Sequence, residues 1–485
     1  WSSGGKLFHI DAQRTAFPVF IFLESGVWNM PAIARTLEQG GHGQYVQRDG
    51  RDYLLRLPVL IGPDATMVVA GSDVESLRLN QQTGSYIVNG GKLYVYDTEI
   101  VGWNEEKGAP AELDYATRAR FRPFLMAWSG SQTFIGGSTI RALGYSGPKG
   151  YGLSLSSGPV DLVKSRSFVL AEPTARIVEN SFDRLFYGFY SYEATDVALV
   201  GNEYRDNIIY GIDPHDRTKR LLVAFNTTYG THKKHGIIGS RGVNDSWIVG
   251  NVTFDNRGSG IMLDRFSSNN LVYANHAFDN DQDGLTLLES PCNIAAANMV
   301  FDNKRRGVKI RNSWDVGLFH NEINGNAGIG IEGYVAEIVA LPGHPHRDLH
   351  RDPYVMFTNA VLASNEFSAN TGYAISMNGA ASISTRANRF VGQRKLFGGE
   401  LSDMQGQLLS WQEDGVALQS SCAQPIENYV CPFAVNGYLS GNGLYAQDAG
   451  KPKACAKAFR ISDVDEAPED EDEAADVDSL SLEAQ

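Results

Sequence analysis

Several features that would define other protein classes are missing from this sequence. No stretch approaches about 18 consecutive apolar residues, so the sequence predicts no membrane span. Calcium-binding Gly-Gly-x-Gly-x-Asp repeats are also absent, and nothing indicates calcium or any other cofactor. Only 4 of the 485 residues are cysteine. Cys422, Cys431 and Cys455 lie near the C-terminus, where one disulfide in an oxidising compartment or buried free thiols are the alternatives, while Cys292 lies apart.

Positive charge is also scarce, because 42 Lys and Arg residues stand against 56 Asp and Glu residues, a formal net charge of −14. Eleven of the acidic residues lie in 463–485, which has no Lys or Arg, and the remainder of the chain carries only −3. We expect 463–485 to be a disordered, solvated tail, with an electrostatic guard or a partner-binding tail as the alternative. An acidic chain without a recognisable nucleic-acid module is not expected to bind nucleic acid.

What the sequence does contain is a repeat of about 24 residues. The asparagines that mark it recur at steps of 24, 25, 24, 23 and 23 residues, namely Asn202, Asn226, Asn251, Asn275, Asn298 and Asn321. Glycines keep pace at Gly211, Gly236, Gly260, Gly284 and Gly307. An aromatic or other apolar residue follows most of the asparagines two or three positions later, and we predict that these side chains stack in one column. A fixed period of this size predicts stacked coils, and it is too short for two helices.

Each repeat glycine is followed by an alternating pattern. The first residue after it is apolar, and so is the third in most copies, which predicts a strand with these two positions pointing inward. Coils of this kind cannot bury an apolar face alone, so they stack and share one core. We therefore predict an all-β fold, a parallel β-helix that is right-handed because parallel crossovers favour that hand. The asparagine column is predicted to be structural, with side-chain amides satisfying the backbone of the turns.

The regular β-helix is predicted to span 170–395, because Asn180 fits one coil upstream and Asn365 one downstream. Residues 1–169 alternate like strands but at irregular spacing, either as wider coils of the same helix or as a separate β cap. The segment 333–356 is too polar and Pro-rich for a coil strand, and we expect a projecting loop. Residues 396–462 are predicted to form a C-terminal cap region before the acidic tail.

The projecting loop admits three interpretations. It is a lid over an anionic polymer, an ordinary connecting loop, or, because of His344-Pro345-His346, a metal site. The chain opens at Trp1 without an initiator methionine, so we expect a processed or trimmed start and an extracytoplasmic protein whose signal peptide is not part of the sequence.

The repeat also predicts which side chains share a surface. Counting from each glycine, the second outward position collects Asp213, Ile238, Met262, Thr286 and Lys309, and the fourth collects His215, Ser240, Asp264, Leu288 and Arg311. His215 and Arg241 fall one coil apart and almost in line. A histidine, an arginine and two carboxylates on one face suit chemistry on an acidic sugar, with a base for a C–H proton and a cation for the neighbouring carboxylate. The alternative is an ordinary exposed histidine beside an Asp-Pro turn.

The tetrapeptide Asp213-Pro214-His215-Asp216, at a coil strand of these Asn and Gly repeats, resembles the periplasmic mannuronan C5-epimerases of bacterial alginate biosynthesis. The resemblance extends through the coils into the Cys-containing C-terminal part. It implies a β-helix of carbohydrate-binding and sugar-hydrolase repeats, a periplasmic location, and conversion of β-D-mannuronate to α-L-guluronate within the polymer. By motif, it also implies that His215 is the base and that Arg241, in Gly239-Ser240-Arg241-Gly242, neutralises the substrate carboxylate.

The remaining site residues follow from that assignment. Asp213 and Asp216 are expected to bind substrate or to orient His215. Tyr210 and His235 precede their glycines in adjacent coils and are candidate proton donors or substrate contacts, with water as the other donor. Cations also cluster on later coils and are expected to bind the carboxylates of flanking sugar residues, namely Arg265, Lys309 and Arg311. Asp264, in the fourth outward position, is expected to bind substrate as well.

Three functions remain open from the residues. A polymer-level C5-epimerase and a polysaccharide lyase share the same C5 carbanion, which is either reprotonated or expels the 4-O-linked sugar. A non-catalytic scaffold that guides polymer during export would need the cationic coils but not His215. In each case the expected partner is an anionic polysaccharide, with other proteins of a periplasmic polymer-export assembly as further partners.

Overall fold

A computed structural model of the chain describes residues 2–3, 6–7, 13, 19–112, 120–147, 149–157, 171–340, 349, 352–379 and 382–414. It divides into two compact units, Trp1–Ile238 with Asp255–Arg257, and Gly239–Phe254 with Gly258–Gln485. The predicted acidic tail 463–485 lies outside the described residues, as does the predicted cap region beyond residue 414.

The first unit contains one α-helix and most of the longer strands. Its elements are β1 (Ser2–Ser3), β2 (Lys6–Leu7), β3 (Ile21–Asn29), α1 (Met30–Gln39), β4 (Val46–Asp49), β5 (Asp52–Leu55), β6 (Val59–Ala70), β7 (Ser76–Asn80), β8 (Ile87–Asn89), β9 (Lys92–Tyr96), β10 (Glu99–Asn104), β11 (Ala109–Pro110), β12 (Leu125–Trp128), β13 (Gln132–Gly136), β14 (Thr139–Arg141), β15 (Gly152–Ser156), β16 (Thr174–Val178), β17 (Ser181–Asp183), β18 (Tyr187–Tyr192), β19 (Ala198–Val200), β20 (Glu203–Arg205), β21 (Tyr210–His215), β22 (Leu222–Ala224) and β23 (Thr227–Tyr229).

Most strands of the first unit stack in three parallel columns, whereas the pairs β1–β2, β4–β5 and β10–β11 are antiparallel. One column runs β6-β8-β12-β15-β18-β21, a second runs β6-β9-β13-β16-β19-β22, and a third runs β5-β7-β10-β14-β17-β20-β23. In the third column Ile100 pairs with Ile140 and Ile140 with Phe182, steps of 40 and 42 residues. The strands of residues 52–156 therefore share columns with the regular repeats, as in the alternative of wider coils. Helix α1, which the sequence analysis did not predict, is capped by Asn29, whose Oδ1 accepts from Ala32 N–H at 2.9 Å.

The second unit follows the regular period closely. After β24 (Ile237–Ser240), which the division between the units crosses, its elements are β25 (Trp247–Val249), β26 (Val252–Phe254), β27 (Ile261–Asp264), β28 (Leu271–Tyr273), β29 (His276–Phe278), β30 (Leu285–Leu288), β31 (Ile294–Ala296), β32 (Met299–Phe301), β33 (Val308–Arg311), β34 (Val316–Phe319), β35 (Glu322–Asn324), β36 (Ile331–Tyr334), β37 (Asn359–Ala363), β38 (Glu366–Ser368), β39 (Tyr373–Asn378), β40 (Ser382–Arg386), β41 (Arg389–Val391), β42 (Lys395–Gly399) and α2 (Gln405–Asp414). These strands also stack in three parallel columns, β27-β30-β33-β36-β39-β42, β25-β28-β31-β34-β37-β40 and β26-β29-β32-β35-β38-β41.

The repeat asparagines form a continuous hydrogen-bonded ladder in the second unit. The backbone N–H and the Nδ2 of Asn275 both donate to Oδ1 of Asn298, at 2.9 and 3.0 Å, and Nδ2 also donates to the carbonyl of Ile248 at 2.8 Å. The ladder ends at Gln412 of α2, whose Oε1 accepts from Asn388. The structural role predicted for the asparagines is therefore confirmed.

The predicted inward positions are buried, but burial does not separate them from the outward positions, most of which are also buried. The residue after each glycine is at most 2 % exposed, namely Ile212, Ile237, Ile261, Leu285 and Val308. The prediction of one column for the aromatic residues that follow the asparagines was wrong, because these residues belong to two columns. Tyr204, two residues after its asparagine, is fully buried, whereas Phe278, three residues after, is only partly buried and stacks outside on Phe301 at 4.8 Å.

The structure also bears on the predictions for the cysteines and for the projecting loop. Cys292 is disulfide-bonded, which the sequence pattern did not indicate. Cys422, Cys431 and Cys455, among which one disulfide or free thiols were the alternatives, lie outside the described residues. The predicted projecting loop falls between β36 and β37. Both of its described ends are held by Asn312, whose Nδ2 donates to the carbonyls of Ala336 at 2.9 Å and Val355 at 2.8 Å.

Candidate active site

His215 is the last residue of strand β21, where the chain leaves the parallel column. Its Nδ1 lies 2.9 Å from Oδ2 of Asp216, and both side chains are largely buried, at 12 % and 9 % exposure. Asp216 and Arg217 have φ of 31° and 56°, and Thr218 Oγ1 donates to the carbonyl of His215 at 2.7 Å. The tight turn therefore brings the carboxylate of Asp216 onto one ring nitrogen and fixes the orientation of the imidazole.

Aromatic side chains from the preceding coil surround His215. Tyr190 stacks on the imidazole at 5.9 Å with an interplanar angle of 28°, and Tyr192 pairs with His215 in strand register. The buried Lys149 Nζ lies 3.3 Å from the Tyr190 hydroxyl and 3.7 Å from the ring centroid of Tyr192. The repeat pattern did not identify these three residues, although Tyr192 stands one repeat period before His215. Lys149 had no such signal, because it lies in an irregular stretch.

The other predicted residues of the first unit lie along β21 and its neighbour. Tyr210 and His235 stack on each other at 6.0 Å and 15°, and both are partly exposed. Asp213 is only 2 % exposed, so the expectation that its column is an open surface was wrong at this position. Its Cα pairs with Tyr190, and neighbouring side chains cover the carboxylate.

A second group of predicted residues meets in the second unit. Arg241 Nη2 lies 3.1 Å from Oδ2 of Asp352, and Arg265 Nη1 lies 3.7 Å from the same oxygen. Arg265 Nε also lies 3.4 Å from Oδ2 of Asp264. Asp352 comes from the loop between β36 and β37, and no repeat pattern in the sequence indicated that it would reach these arginines.

The register predicted for the outward positions is confirmed within the second unit. Met262 pairs with Thr286 and Thr286 with Lys309, while Asp264 pairs with Leu288 and Leu288 with Arg311. Lys309 is partly exposed, as expected for a ligand-binding cation.

Arg311 differs from that expectation. It is 8 % exposed, and its Nη2 donates to the buried Glu289 at 2.7 Å. The expectation of an open surface was therefore wrong for Arg311 as it was for Asp213, because a buried carboxylate holds this guanidinium.

The structure thus assembles two groups of predicted residues. His215, Asp213 and Asp216 lie together at the end of β21, with Tyr210 at its start and His235 stacked on Tyr210. Arg241, Asp264 and Arg265 lie together in the second unit. The predicted alignment of His215 with Arg241 joins the two units and stays a prediction.

No metal site is evident in the described part of the chain, where no group of three or more His, Cys, Asp or Glu side chains could hold an ion. His344 and His346, on which the metal interpretation depended, lie outside that part. Among the described helices, none has the length and apolar composition needed to cross a membrane.

Two protein families match parts of the chain. The family described as right handed beta helix region matches residues 217–339, which confirms the predicted handedness. The family described as periplasmic copper-binding protein (NosD) matches residues 136–276.

Individual proteins match much more of the chain. A mannuronan C5-epimerase of Pseudomonas putida (strain KT2440) is 37 % identical over 396 residues, 81 % of this chain and 74 % of that protein. The mannuronan C5-epimerase AlgG of Azotobacter vinelandii is 37 % identical over 409 residues, 84 % and 76 % of the two chains. The crystal structure of the periplasmic alginate epimerase AlgG superposes with a TM-score of 0.73 at 34 % identity, covering 78 % of this chain and 86 % of the other.

Proposed function

The chain belongs to the mannuronan C5-epimerase family, and we propose that His215 is the base of its reaction and Arg241 the cation that neutralises the substrate carboxylate. The enzyme is an isomerase that converts β-D-mannuronate residues of polymannuronate to α-L-guluronate. Because these relatives are epimerases, reprotonation of C5 is favoured over elimination and over a purely scaffolding role.

The chemical difficulty lies in the acidity of the C5 proton. This proton is next to a carboxylate, and its removal would place a second negative charge on the same group. A guanidinium on the carboxylate stabilises that charge as it develops. In support of this role, the guanidinium of Arg241 is in contact with a protein carboxylate, that of Asp352 at 3.1 Å.

The contact between Asp216 and His215 carries the assignment of the base. A carboxylate at Nδ1 stabilises the tautomer in which Nδ1 holds the hydrogen and Nε2 has the lone pair. Nε2 then accepts the C5 proton, and the imidazolium that forms is stabilised by Asp216. This gives Asp216 the orienting role among the two expected from the sequence.

Inversion requires a proton to return from the opposite face of the sugar ring. Tyr210 and His235, which stack on each other, are the side-chain candidates, and water is the third. When the reaction is run in D₂O, exchange of the donor with solvent gives guluronate that carries deuterium at C5.

The polymer is proposed to lie across several coils. Lys309, partly exposed in the second outward column, provides positive charge toward flanking carboxylates. Arg311 contributes less, because Glu289 holds its guanidinium. The relatives described as periplasmic support a periplasmic location for this chain, where it is proposed to act beside other proteins of a polymer-export assembly.

The test incubates the protein with polymannuronate and follows guluronate content and unsaturated chain ends together by NMR. We expect guluronate without unsaturated ends, and His215→Ala should lower kcat about 10²–10⁴-fold while polymer binding persists. His276→Ala is the matched control, since His276 is an exposed histidine of β29 and should leave kcat unchanged. Full activity in His215→Ala would refute the base, and unsaturated ends would identify a lyase.

A further inference from the structure

Arg241 and Arg265 share a single carboxylate oxygen. Oδ2 of Asp352 lies 3.1 Å from Arg241 Nη2 and 3.7 Å from Arg265 Nη1, and the side chains of Arg241, Arg265 and Asp352 are 20 %, 19 % and 13 % exposed. We propose that the two arginines form one carboxylate-binding clamp, and that Asp352 occupies it until the carboxylate of a uronate residue displaces it. The inference rests on the proposed function, because it assigns the ligand of Arg241.

The fold builds the clamp from two successive turns. Arg241 and Arg265 each follow the last residue of a strand, β24 and β27, and both have positive φ, 58° and 51°. The N–H of Arg241 donates to the carbonyl of Asp264 at 3.1 Å, and the N–H of Gly242 donates to the carbonyl of Arg265 at 2.9 Å. The two guanidinium groups therefore start one coil apart, roughly 4.8 Å, from equivalent backbone positions. That separation suits two cations on one carboxylate.

Asp352 reaches the clamp from a segment fixed close to it. Three residues later, the carbonyl of Val355 accepts from Nδ2 of Asn312 at 2.8 Å, and Thr358 Oγ1 donates to the carbonyl of Ser313 at 2.6 Å. The backbone that follows Asp352 is therefore held by these hydrogen bonds, and it keeps the carboxylate near the two arginines.

The contact with Arg241 leaves hydrogen-bonding capacity for a better ligand. Asp352 meets Arg241 through one oxygen and one nitrogen, whereas an arginine fork binds a carboxylate most strongly through two parallel bonds. Arg241 Nε is buried and, among the described residues, has no hydrogen-bond partner. A uronate carboxylate that approached along Nε and Nη2 would satisfy both donors.

The two carboxylates cannot bind at once. A uronate carboxylate on Arg241 would lie within a few ångströms of Asp352, and like charges at that distance in a partly buried site repel strongly. Binding therefore requires Asp352 to leave, and a sugar without a carboxylate cannot replace it. The clamp selects uronates, and it assigns Arg265 to the carboxylate that Arg241 holds rather than to that of a flanking residue.

The binding test uses the His215→Ala chain, so that polymer is not converted, and titrates polymannuronate oligomers by calorimetry. If Asp352 fills the clamp about nine times in ten, Asp352→Ala lowers Kd about tenfold. Glu337→Ala is the matched control, because Glu337 lies in the same loop but contacts Tyr354, and it should change Kd by less than about twofold. An unchanged or higher Kd in Asp352→Ala overturns the proposal.

Kinetic measurements on the enzyme with His215 intact distinguish displacement of Asp352 by substrate from a role of Asp352 in positioning Arg241. We expect Asp352→Ala to lower KM without lowering kcat, whereas a carboxylate that merely positions Arg241 would lower kcat when removed and leave KM unchanged, which would also overturn the proposal. Should the alanine variant melt early by circular dichroism, Asp352→Asn keeps the shape of the side chain and removes its charge.

A double-mutant cycle tests whether the two arginines share one ligand. In the background of His215→Ala and Arg265→Met, Asp352→Ala should raise the affinity for polymannuronate oligomers less than it does when Arg265 is present. The reason is that the clamp vacated by Asp352 then contains only one of its two arginines. An equal gain in both backgrounds would show that Arg265 acts on another group. These binding results do not depend on His215, so retained activity in His215→Ala would refute the base and leave the clamp standing.

Discussion

The asparagine ladder and the outward strand columns of the second unit both repeat once per coil, but they are built in opposite ways. The ladder repeats one residue type, Asn251, Asn275, Asn298, Asn321, Asn365 and Asn388, and each of the first five donates to the side-chain oxygen of the next at 2.9–3.0 Å. The outward columns change residue type at every step, from Met262 to Thr286 to Lys309 and from Asp264 to Leu288 to Arg311.

The difference follows from what each position must satisfy. In the ladder, the turn exposes backbone N–H and C=O groups that have no strand partner, and asparagine supplies both a donor and an acceptor with the spacing of one coil. An outward strand position has its backbone already paired in the sheet, so its side chain is not needed to satisfy the backbone. The outward columns can therefore change residue type from coil to coil, whereas the ladder cannot.

Replacing a ladder asparagine should have the largest effect on stability. Asn275→Ala removes two donor bonds of Nδ2 and leaves the Asn251 N–H and Nδ2 without their acceptor, in a position that is 1 % exposed. We expect a loss of about 3 kcal/mol in the free energy of unfolding. The measurement is urea unfolding by circular dichroism. A loss below about 0.5 kcal/mol would remove the distinction between the two kinds of column.

The ladder was also the part of the fold most open to prediction from sequence. Its spacing, the inward residues and the outward register all follow from one period, because a coil that departs from the period loses its neighbours above and below. The aromatic residues were merged into one column because a step of two and a step of three residues put side chains on opposite sides of a strand. Tyr204 and Phe278 show the two outcomes.

Contacts that break the period could not be predicted. Asp352 reaches Arg241 and Arg265 from an insertion, and its position depends on the bonds of Asn312 to the two ends of that insertion. Lys149 meets Tyr190 from a coil of irregular length. Arg311 has the spacing of a binding residue, but its burial beside Glu289 is a tertiary fact that its spacing does not contain.

Lys309 tests the same comparison at an outward strand position. It is partly exposed between Thr286 and Glu332 in strand register, and its backbone is paired in the sheet. Lys309→Ala should change the free energy of unfolding by less than about 0.5 kcal/mol. If Lys309 binds a flanking carboxylate, KM for polymannuronate should rise about fivefold at unchanged kcat, the cost of about 1 kcal/mol of binding. An unchanged KM at low salt would remove Lys309 from the binding surface.

The smallest expected effect comes from a polar contact that, unlike the ladder, carries charge. Arg56 Nε donates to Oε2 of Glu105 at 3.0 Å, and Asn80 donates to the same oxygen. The hydrogen bond from Arg56, opposed by partial burial, holds the pKa of Glu105 below its ordinary value of 4.5. A carboxyl whose pKa is lower in the folded state stabilises the fold above its unfolded pKa, and this stabilisation is lost as the pH falls through the folded value.

Because Glu105 is 37 % exposed, solvent screening limits the effect, and Glu105→Gln should cost under about 1 kcal/mol at pH 7. As the pH falls from 7 through the folded pKa of Glu105, the difference from the parent should shrink toward zero in urea unfolding, whereas the penalty of Asn275→Ala should stay constant over the same range, since an amide does not titrate. A Glu105→Gln penalty that stayed constant with pH would show that shape, and not charge, accounts for this contact, as it does in the ladder.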